Sequence, residues 1–236
     1  MSTPRPIVLG LEFSQREGFV AIDAGDKGCQ EIAVEVGNRE ADAIFPAIDE
    51  LARTLQILPN TIGLIAVSIG PGSFTGLRTA VAIAKMHAYS TGAHIIAVET
   101  AVVQAETIQM GDGPFFVFSG AKGNEAWFSK VYKEDAIWKC DGKHVLANEV
   151  TGIDEPMAII SDGNVPPLIT EAAQAAGTPL HAVTPRASHL IRVAKQLHVS
   201  GVHTSAEKLR PLYPREPEAV RLWNAKKSPT TPKQPK

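Results

Sequence analysis

The stretch from Ile65 to Gly92, IAVSIGPGSFTGLRTAVAIAKMHAYSTG, constrains the fold more than any other part of the sequence. Its first five residues are uncharged and mostly aliphatic, as expected for a strand that is covered on both faces of a sheet. A glycine-rich turn follows from Gly70 to Gly76, and an apolar segment then continues to Tyr89. The stretch therefore predicts a buried strand, a tight turn and a long helix, an order that is typical of α/β proteins.

The glycine-rich turn has a structural and a functional interpretation. Gly70 and Gly72 allow a positive φ or a close approach of the backbone, and Ser73 or Thr75 can cap the following helix. A glycine-rich turn before a helix can also bind an anion. A Walker A loop, however, has a lysine and a hydroxyl residue after its last glycine, where this turn has Leu77-Arg78. We therefore favour a structural turn and keep Gly70, Gly72 and Ser73 as weak candidates for cofactor binding.

The composition is that of an ordinary soluble α/β protein. The chain has 236 residues, of which 44% are hydrophobic and 20% charged, so it can bury a core as one domain or as two small lobes. Its net charge of −2 argues against a protein whose whole surface binds nucleic acid. Cys29 and Cys140 lack metal-ligand spacing, and no apolar run is long enough for a signal peptide or a membrane span. We expect inert thiols in a reducing compartment and no membrane association.

The first half of the chain has the pattern of a ribonuclease-H-like lobe. Three antiparallel strands come first, and an amphipathic helix, the strand and helix of the glycine-rich stretch, a further buried strand and a third helix follow. The predicted bounds are 7–11, 18–23, 29–36, 42–55, 65–69, 75–91, 95–98 and 100–108.

The second half is predicted to contain two hairpins, with strands at 115–119, 125–132, 137–140 and 144–146 and a turn of the second hairpin at 141–143. A strand at 157–161 and helices at 167–176 and 187–199 follow. A boundary at 111–114 would give domains at 1–110 and 111–222. Residues 223–236 are basic, rich in proline and without a continuing apolar pattern, so we expect a disordered tail.

The segments GPGSFTGLRTAVAIAK and GAHIIAVETA resemble the TsaB (YeaZ) family, and RPLYPREP at 210–217 resembles a segment near that family's C-terminus. The resemblance implies an α/β, actin/sugar-kinase/Hsp70-like (ribonuclease-H-like) two-lobed fold, here with a degenerate second lobe. It also implies a non-catalytic scaffold subunit in tRNA threonylcarbamoyladenosine biosynthesis. Such a subunit supports threonylcarbamoyl transfer to the tRNA adenosine beside the anticodon.

The same resemblance implies partners and a location. The chain would form a dimer with a TsaD-like catalytic subunit and recruit a TsaE-like ATPase, while tRNA would be bound indirectly through the complex. No cofactor is expected on this chain, because ATP and metal would be held by the partner subunits. The expected location is the cytoplasm.

The chain departs from the family in its first hairpin, where Glu12-Phe13 stands in place of Asp-Thr. Glu12 is therefore a weak candidate for cofactor binding, and we interpret it as a surface glutamate. His198 and His203 are five residues apart and have no nearby carboxylate to orient them, so no metal site is predicted. Ser73 could benefit from the helix dipole as a nucleophile, but no motif supplies its base. No catalytic residue is predicted.

Helices 42–55 and 75–91 are the predicted partner surface. The second is apolar nearly all round, so it is either buried or covered by another protein. Arg78 is expected to pair with a carboxylate such as Glu99 or to serve the interface, and Val81→Asp to abolish association without unfolding the chain. The predicted contact residues are Ile44, Ile48, Leu77, Val81, Lys85 and Tyr89.

Two alternatives from other functional classes stay open. A divergent ATP-dependent kinase or transferase of the same superfamily would use Glu12 and the glycine-rich turn, and it would bind ATP tightly with magnesium. A repurposed stand-alone homodimer would use the two predicted interface helices on a second copy of the chain.

Overall fold

A computed structural model describes residues 6–35, 43–108, 110–122, 125–146, 156–213 and 223. The first five strands are Ile7–Glu12 (β1), Glu17–Asp23 (β2), Cys29–Glu35 (β3), Ile62–Gly70 (β4) and His94–Glu99 (β5). They form one sheet in the order β3-β2-β1-β4-β5. β1, β2 and β3 pair antiparallel, whereas β4 pairs parallel with both β1 and β5.

The remaining five strands form a second sheet with the same arrangement. They are Phe115–Lys122 (β6), Glu125–Glu134 (β7), Ile137–Leu146 (β8), Ala158–Ser161 (β9) and Leu180–Ala182 (β10). Their order is β8-β7-β6-β9-β10, with β6, β7 and β8 antiparallel and β9 parallel to both β6 and β10. Each sheet is thus a meander of three strands extended by two parallel strands, which confirms the predicted two-lobed fold.

Five helices cover the two sheets in layers: Ile44–Thr54 (α1), Phe74–Thr91 (α2), Thr100–Ile108 (α3), Pro167–Ala176 (α4) and Ala187–Val199 (α5). α1 and α2 share a hydrophobic cluster with one face of the first sheet. α3 and α5 lie between the two sheets, where they join a cluster that includes residues of both. α4 packs on the outer face of the second sheet.

The alternation of side chains along β1 explains how the first sheet serves two layers. Val8 belongs to the cluster with α3 and α5, whereas Leu9 and Leu11 belong to the cluster with α1 and α2. Gly10 permits the close approach of α5, because a Cβ there would lie 2.9 Å from both the backbone oxygen of Ala187 and the side chain of Ile191. Every residue of β1 after Ile7 is buried between these two layers.

The structure confirms most of the predicted elements and corrects two. The predicted second hairpin is wrong, because 137–146 is one continuous strand, β8, that pairs with β7 along its whole length. The turn lies instead at Asp135 and Ala136, whose φ angles of 52° and 61° suit a tight hairpin. The short strand β10 was not predicted.

The predicted division into domains at residue 110 stays a prediction. α5 follows the second sheet in the sequence but packs against β1 and β2 of the first. Residues 224–236 of the predicted tail and residues 214–217 of the second family-like segment lie outside the described residues. Among the described helices, none combines the length and the apolar character that crossing a membrane requires.

Candidate functional site

The glycine-rich turn packs directly against the chain that follows β1. A Cβ at Gly72 would lie 2.2 Å from the backbone oxygen of Ser14, and a Cβ at Gly76 would lie 2.1 Å from that of Phe13. The backbone amide of Ser73 donates a hydrogen bond to the Ser14 oxygen at 2.6 Å. Two glycines of the turn are therefore explained by backbone contact with the first hairpin.

Several hydrogen-bonding groups of the turn have partners within the chain. The Ser73 hydroxyl accepts a hydrogen bond from the Gly76 amide at 3.3 Å, which confirms the predicted cap of α2. Gly70 has a φ of +108°, and a Cβ there would lie 2.7 Å from the side chain of Leu77. Because the amides of Ser73 and Gly76 are already bonded, the geometry favours a structural turn over an anion site.

Glu12 is buried, so its interpretation as a surface glutamate is wrong. Only 1% of the residue is exposed, and its Oε1 accepts a hydrogen bond from the Ser14 amide at 2.8 Å. Its Oε2 is buried without a hydrogen-bond partner among the described residues. Burial raises the pKa of this carboxyl, and hydrogen bonding to Ser14 offsets only part of that effect. A carboxyl that is shielded from solvent and has a raised pKa is poorly suited to hold a metal ion.

Four of the six predicted contact residues are buried in the core: Ile44, Ile48, Leu77 and Val81. α1 and α2 press these side chains onto the first sheet, so we correct them to core positions. Lys85 is half-buried, and Tyr89 has 66% of its surface exposed. These two residues stay a prediction as contacts for a partner.

The outward face of α2 carries exposed side chains, only some of which sequence reasoning selected. This face consists of Phe74, Arg78, Ala82, Met86 and Tyr89, which follow one another at three- or four-residue steps. Phe74 is 54% exposed and Met86 53% exposed. The helical spacing of these residues was visible in the sequence, but the sequence did not show which face of an apolar helix meets the sheet.

An aromatic cluster marks the beginning of this face. The rings of Phe74 and Tyr213 lie 5.1 Å apart between centroids, and the guanidinium of Arg78 lies 5.1 Å from the centroid of Phe74. Glu99, the carboxylate expected to pair with Arg78, instead accepts a hydrogen bond from the thiol of Cys140 at 3.1 Å. Burial raises the pKa of that thiol well above its usual range, which makes it an unreactive cysteine.

The side chains of His94, His198 and His203 lie close together in the structure. Nδ1 of His198 and Nε2 of His203 are 2.8 Å apart, and the ring of His94 stacks on that of His203. As the side chains are placed, no three or more His, Cys, Asp or Glu residues converge on a metal position within the described ranges.

Comparison with known proteins connects this geometry to a family. The family described as TsaD, tRNA N6-adenosine threonylcarbamoyltransferase, matches residues 35–212, about three quarters of the chain. The chain is 33% identical over 78 residues to the tRNA threonylcarbamoyladenosine biosynthesis protein TsaB of Buchnera aphidicola, which is 33% of this chain and 35% of that protein. It is also 33% identical over 94 residues to the protein of the same description from Haemophilus influenzae, 39% of each chain. The match thus spans little more than a third of the length of these curated relatives.

Two solved structures from Pseudomonas aeruginosa share the fold. One is described as YeaZ, with a TM-score of 0.71, and the other as a protein with similarity to the peptidase YEAZ, with a TM-score of 0.73. Each is 18% identical in sequence, and each match covers 89% of this chain and 100% of the other. The chain therefore belongs to the family described as TsaD, tRNA N6-adenosine threonylcarbamoyltransferase, and over part of its length it is similar to proteins named TsaB.

Proposed function

We propose that this chain is a non-catalytic scaffold subunit in the biosynthesis of threonylcarbamoyladenosine on tRNA. The observation that carries the proposal is the outward face of α2, where Phe74, Met86 and Tyr89 each expose at least half of their surface. Aromatic residues, methionine and arginine are enriched in the cores of protein interfaces. A rigid helix that presents them on one face is therefore suited to bind a protein partner.

The interior of the first lobe supports a scaffold rather than an enzyme. The carboxyl that could hold a metal nucleotide, Glu12, is buried, and burial raises its pKa. The turn that could bind phosphate has the amides of Ser73 and Gly76 bonded within the chain. Both observations argue against the alternative of an ATP-dependent kinase or transferase that uses these groups.

The relatives' names suggest which assembly the scaffold serves. Two relatives are named as biosynthesis proteins for tRNA threonylcarbamoyladenosine, and the family description names the threonylcarbamoyltransferase TsaD. The proposed partner is therefore a TsaD-like catalytic subunit that docks on the outward face of α2. A TsaE-like ATPase would be recruited to the complex, tRNA would be contacted through it, and ATP and metal would be held by the partners. The proposed location is the cytoplasm.

The test is to mix the purified chain with the TsaD-like protein of the same organism and to measure molar masses by size exclusion with light scattering. We expect a stable species that contains one copy of each protein. If the two proteins elute separately, also in the presence of the TsaE-like protein and ATP, the scaffold proposal fails. A dimeric mass for the chain in that case would support the stand-alone homodimer instead.

A further inference from the structure

Three histidines meet at the surface where α5 ends, and one of them, His94, is distant in the sequence from the other two. His94 is the first residue of β5, His198 lies in the last turn of α5, and His203 follows in the next loop. His198 Nδ1 and His203 Nε2 are 2.8 Å apart, and the rings of His94 and His203 stack with centroids 4.6 Å apart and planes 18° from parallel. The rings of His94 and His198 are 6.1 Å apart between centroids.

The backbone holds these rings together. After α5 the chain reverses at Gly201, whose φ of +78° favours glycine, and the Val202 amide donates to the Leu197 oxygen at 2.9 Å. The Thr204 amide then donates to the Ile95 oxygen at 2.8 Å, which fixes the returning chain beside β5. His203 is thereby placed between His94 and His198 by main-chain contacts on both of its sides.

The two close nitrogens define a position that a metal ion can take. A neutral imidazole has one N–H donor and one acceptor, so one ring of the His198–His203 pair donates its hydrogen to the other. A change of tautomer in the donor ring leaves a lone pair on each of the two facing nitrogens. In a tetrahedral site with metal–nitrogen distances of about 2.0–2.1 Å, two ligand nitrogens are about 3.3 Å apart. The observed 2.8 Å is about 0.5 Å shorter than that spacing, so both rings must tilt and move apart before their lone pairs meet at one ion.

We propose that His198 and His203, completed by His94, form a binding site for a divalent transition-metal cation. The ring of His94 stacks beside the pair rather than pointing at the shared position, so its exposed side chain must rotate to become the third ligand. His198 lies at the C-terminus of α5, where the helix dipole favours a positive charge. Imidazole ligands without carboxylates suit zinc, copper or nickel rather than magnesium or calcium.

The experiment is a titration of the full chain, without a histidine tag, with zinc chloride and with nickel chloride by isothermal calorimetry. We expect one equivalent of either ion to bind. His203→Gln keeps a hydrogen-bonding side chain but removes a ligand. We expect it and His198→Gln to weaken binding by at least about tenfold, the least that is lost when even an outer-shell partner is removed. His181→Ala, on β10 of the second sheet, is the control and is expected to bind as the unmodified chain does.

Two further results decide the proposal. His94→Ala is expected to weaken the affinity as well, and an unchanged affinity would overturn the three-histidine arrangement. If the unmodified chain binds neither ion, or if the His198 and His203 variants bind both ions as tightly as it does, no metal site exists here. Circular dichroism of each variant separates loss of a ligand from loss of the fold. Because the titration uses the free chain, its outcome does not depend on whether a TsaD-like partner binds.

Discussion

The carboxylate of Glu31 accepts a hydrogen bond at 2.7 Å from the backbone amide of Ser188, a residue 157 positions further along the chain. Ser188 lies in the first turn of α5, whose own capping residue, Arg186, makes no side-chain cap. The other Glu31 oxygen accepts from the Arg186 guanidinium at 2.6 Å, and that guanidinium lies over the ring of Phe19. A side chain of β3 thus caps the helix that joins the two sheets.

Glu31→Ala should therefore destabilise the whole chain. The substitution removes the cap of α5 and the partner of Arg186, and capping and charge-assisted hydrogen bonds together suggest a loss of about 1–3 kcal/mol in the free energy of unfolding. Urea denaturation at neutral pH measures this loss. Glu35→Ala, an exposed position on the same strand, is the control and should change the stability by less than about 0.5 kcal/mol. Equal stability of both variants would show that the Glu31 contacts do not hold α5.

The contact between the glycine-rich turn and the first hairpin gives a second prediction. In Gly72→Ala the new Cβ would lie 2.2 Å from the Ser14 oxygen, so the turn must move and the hydrogen bond from Ser73 must be distorted. We expect a loss of about 2–3 kcal/mol in the free energy of unfolding, as for other overpacked positions.

Gly63→Ala is the matched control for this variant. Its Cβ would meet only the side chain of Pro6, at an ordinary contact distance of 3.6 Å, so its stability should stay within about 1 kcal/mol of that of the unmodified chain. Thermal or urea unfolding compares the two variants. If Gly72→Ala were as stable as Gly63→Ala, the turn would have space for a Cβ at residue 72. Contact with the first hairpin would then not explain the glycines of the turn, and binding of a ligand would be the explanation to test.

The proposed interface is tested by Met86→Asp, since Met86 lies on the outward face of α2 and is half exposed. A charge in a desolvated contact should weaken association with the TsaD-like protein by about 2 kcal/mol or more, roughly thirtyfold, while the free chain keeps its stability. Calorimetry of the complex and thermal unfolding of the free chain measure the two effects. Gln174→Asp, exposed on α4, should bind normally. Val81→Asp should instead unfold the chain, because that residue is only 7% exposed.

The elements of this fold follow from local sequence patterns, but their contacts with one another do not. Within the described part of the chain, alternating and helical apolar spacing was sufficient for nine of the ten strands and for all five helices. It divided β8 into two strands. The error arose because Asp141-Gly142-Lys143 has the composition of a turn. Gly142 is instead a strand residue, and a Cβ there would lie 2.8 Å from the indole nitrogen of Trp127 on β7. That cross-strand contact is absent from the local sequence.

The candidate site was harder to predict for the same reason. An apolar helix such as α2 offers several faces, and only the packing of the first sheet decides that Leu77 and Val81 are covered while Met86 is not. Glu12 is the last residue of the apolar strand β1, and its position in the sequence suggests an exposed polar end. The glycine-rich turn, which is distant in the sequence, packs against the residues that follow Glu12. The proximity of His198 and His203 depends on a reversal of the backbone at Gly201.

The buried carboxyl of Glu12 predicts a pH-dependent effect on stability. Because burial raises its folded pKa above the unfolded value near 4.5, the native state binds a proton more tightly than the unfolded state does. The stability that the protonated Glu12 carboxyl contributes is present in full below the unfolded pKa and is lost as the pH rises through the folded pKa.

Glu12→Gln tests this effect, because it removes the ionisable group and keeps an oxygen that can accept from the Ser14 amide. The variant should therefore gain stability over the unmodified chain as the pH rises from 4.5 to 8, by about 1.4 kcal/mol for each unit by which the pKa is raised. Urea denaturation of both chains across this pH range measures the difference, with Glu17→Gln, an exposed position at the start of β2, as the control that should show none. A difference between Glu12→Gln and the unmodified chain that is constant with pH would mean that Glu12 has the same pKa in both states, and the argument against its binding a metal nucleotide would then lose its support.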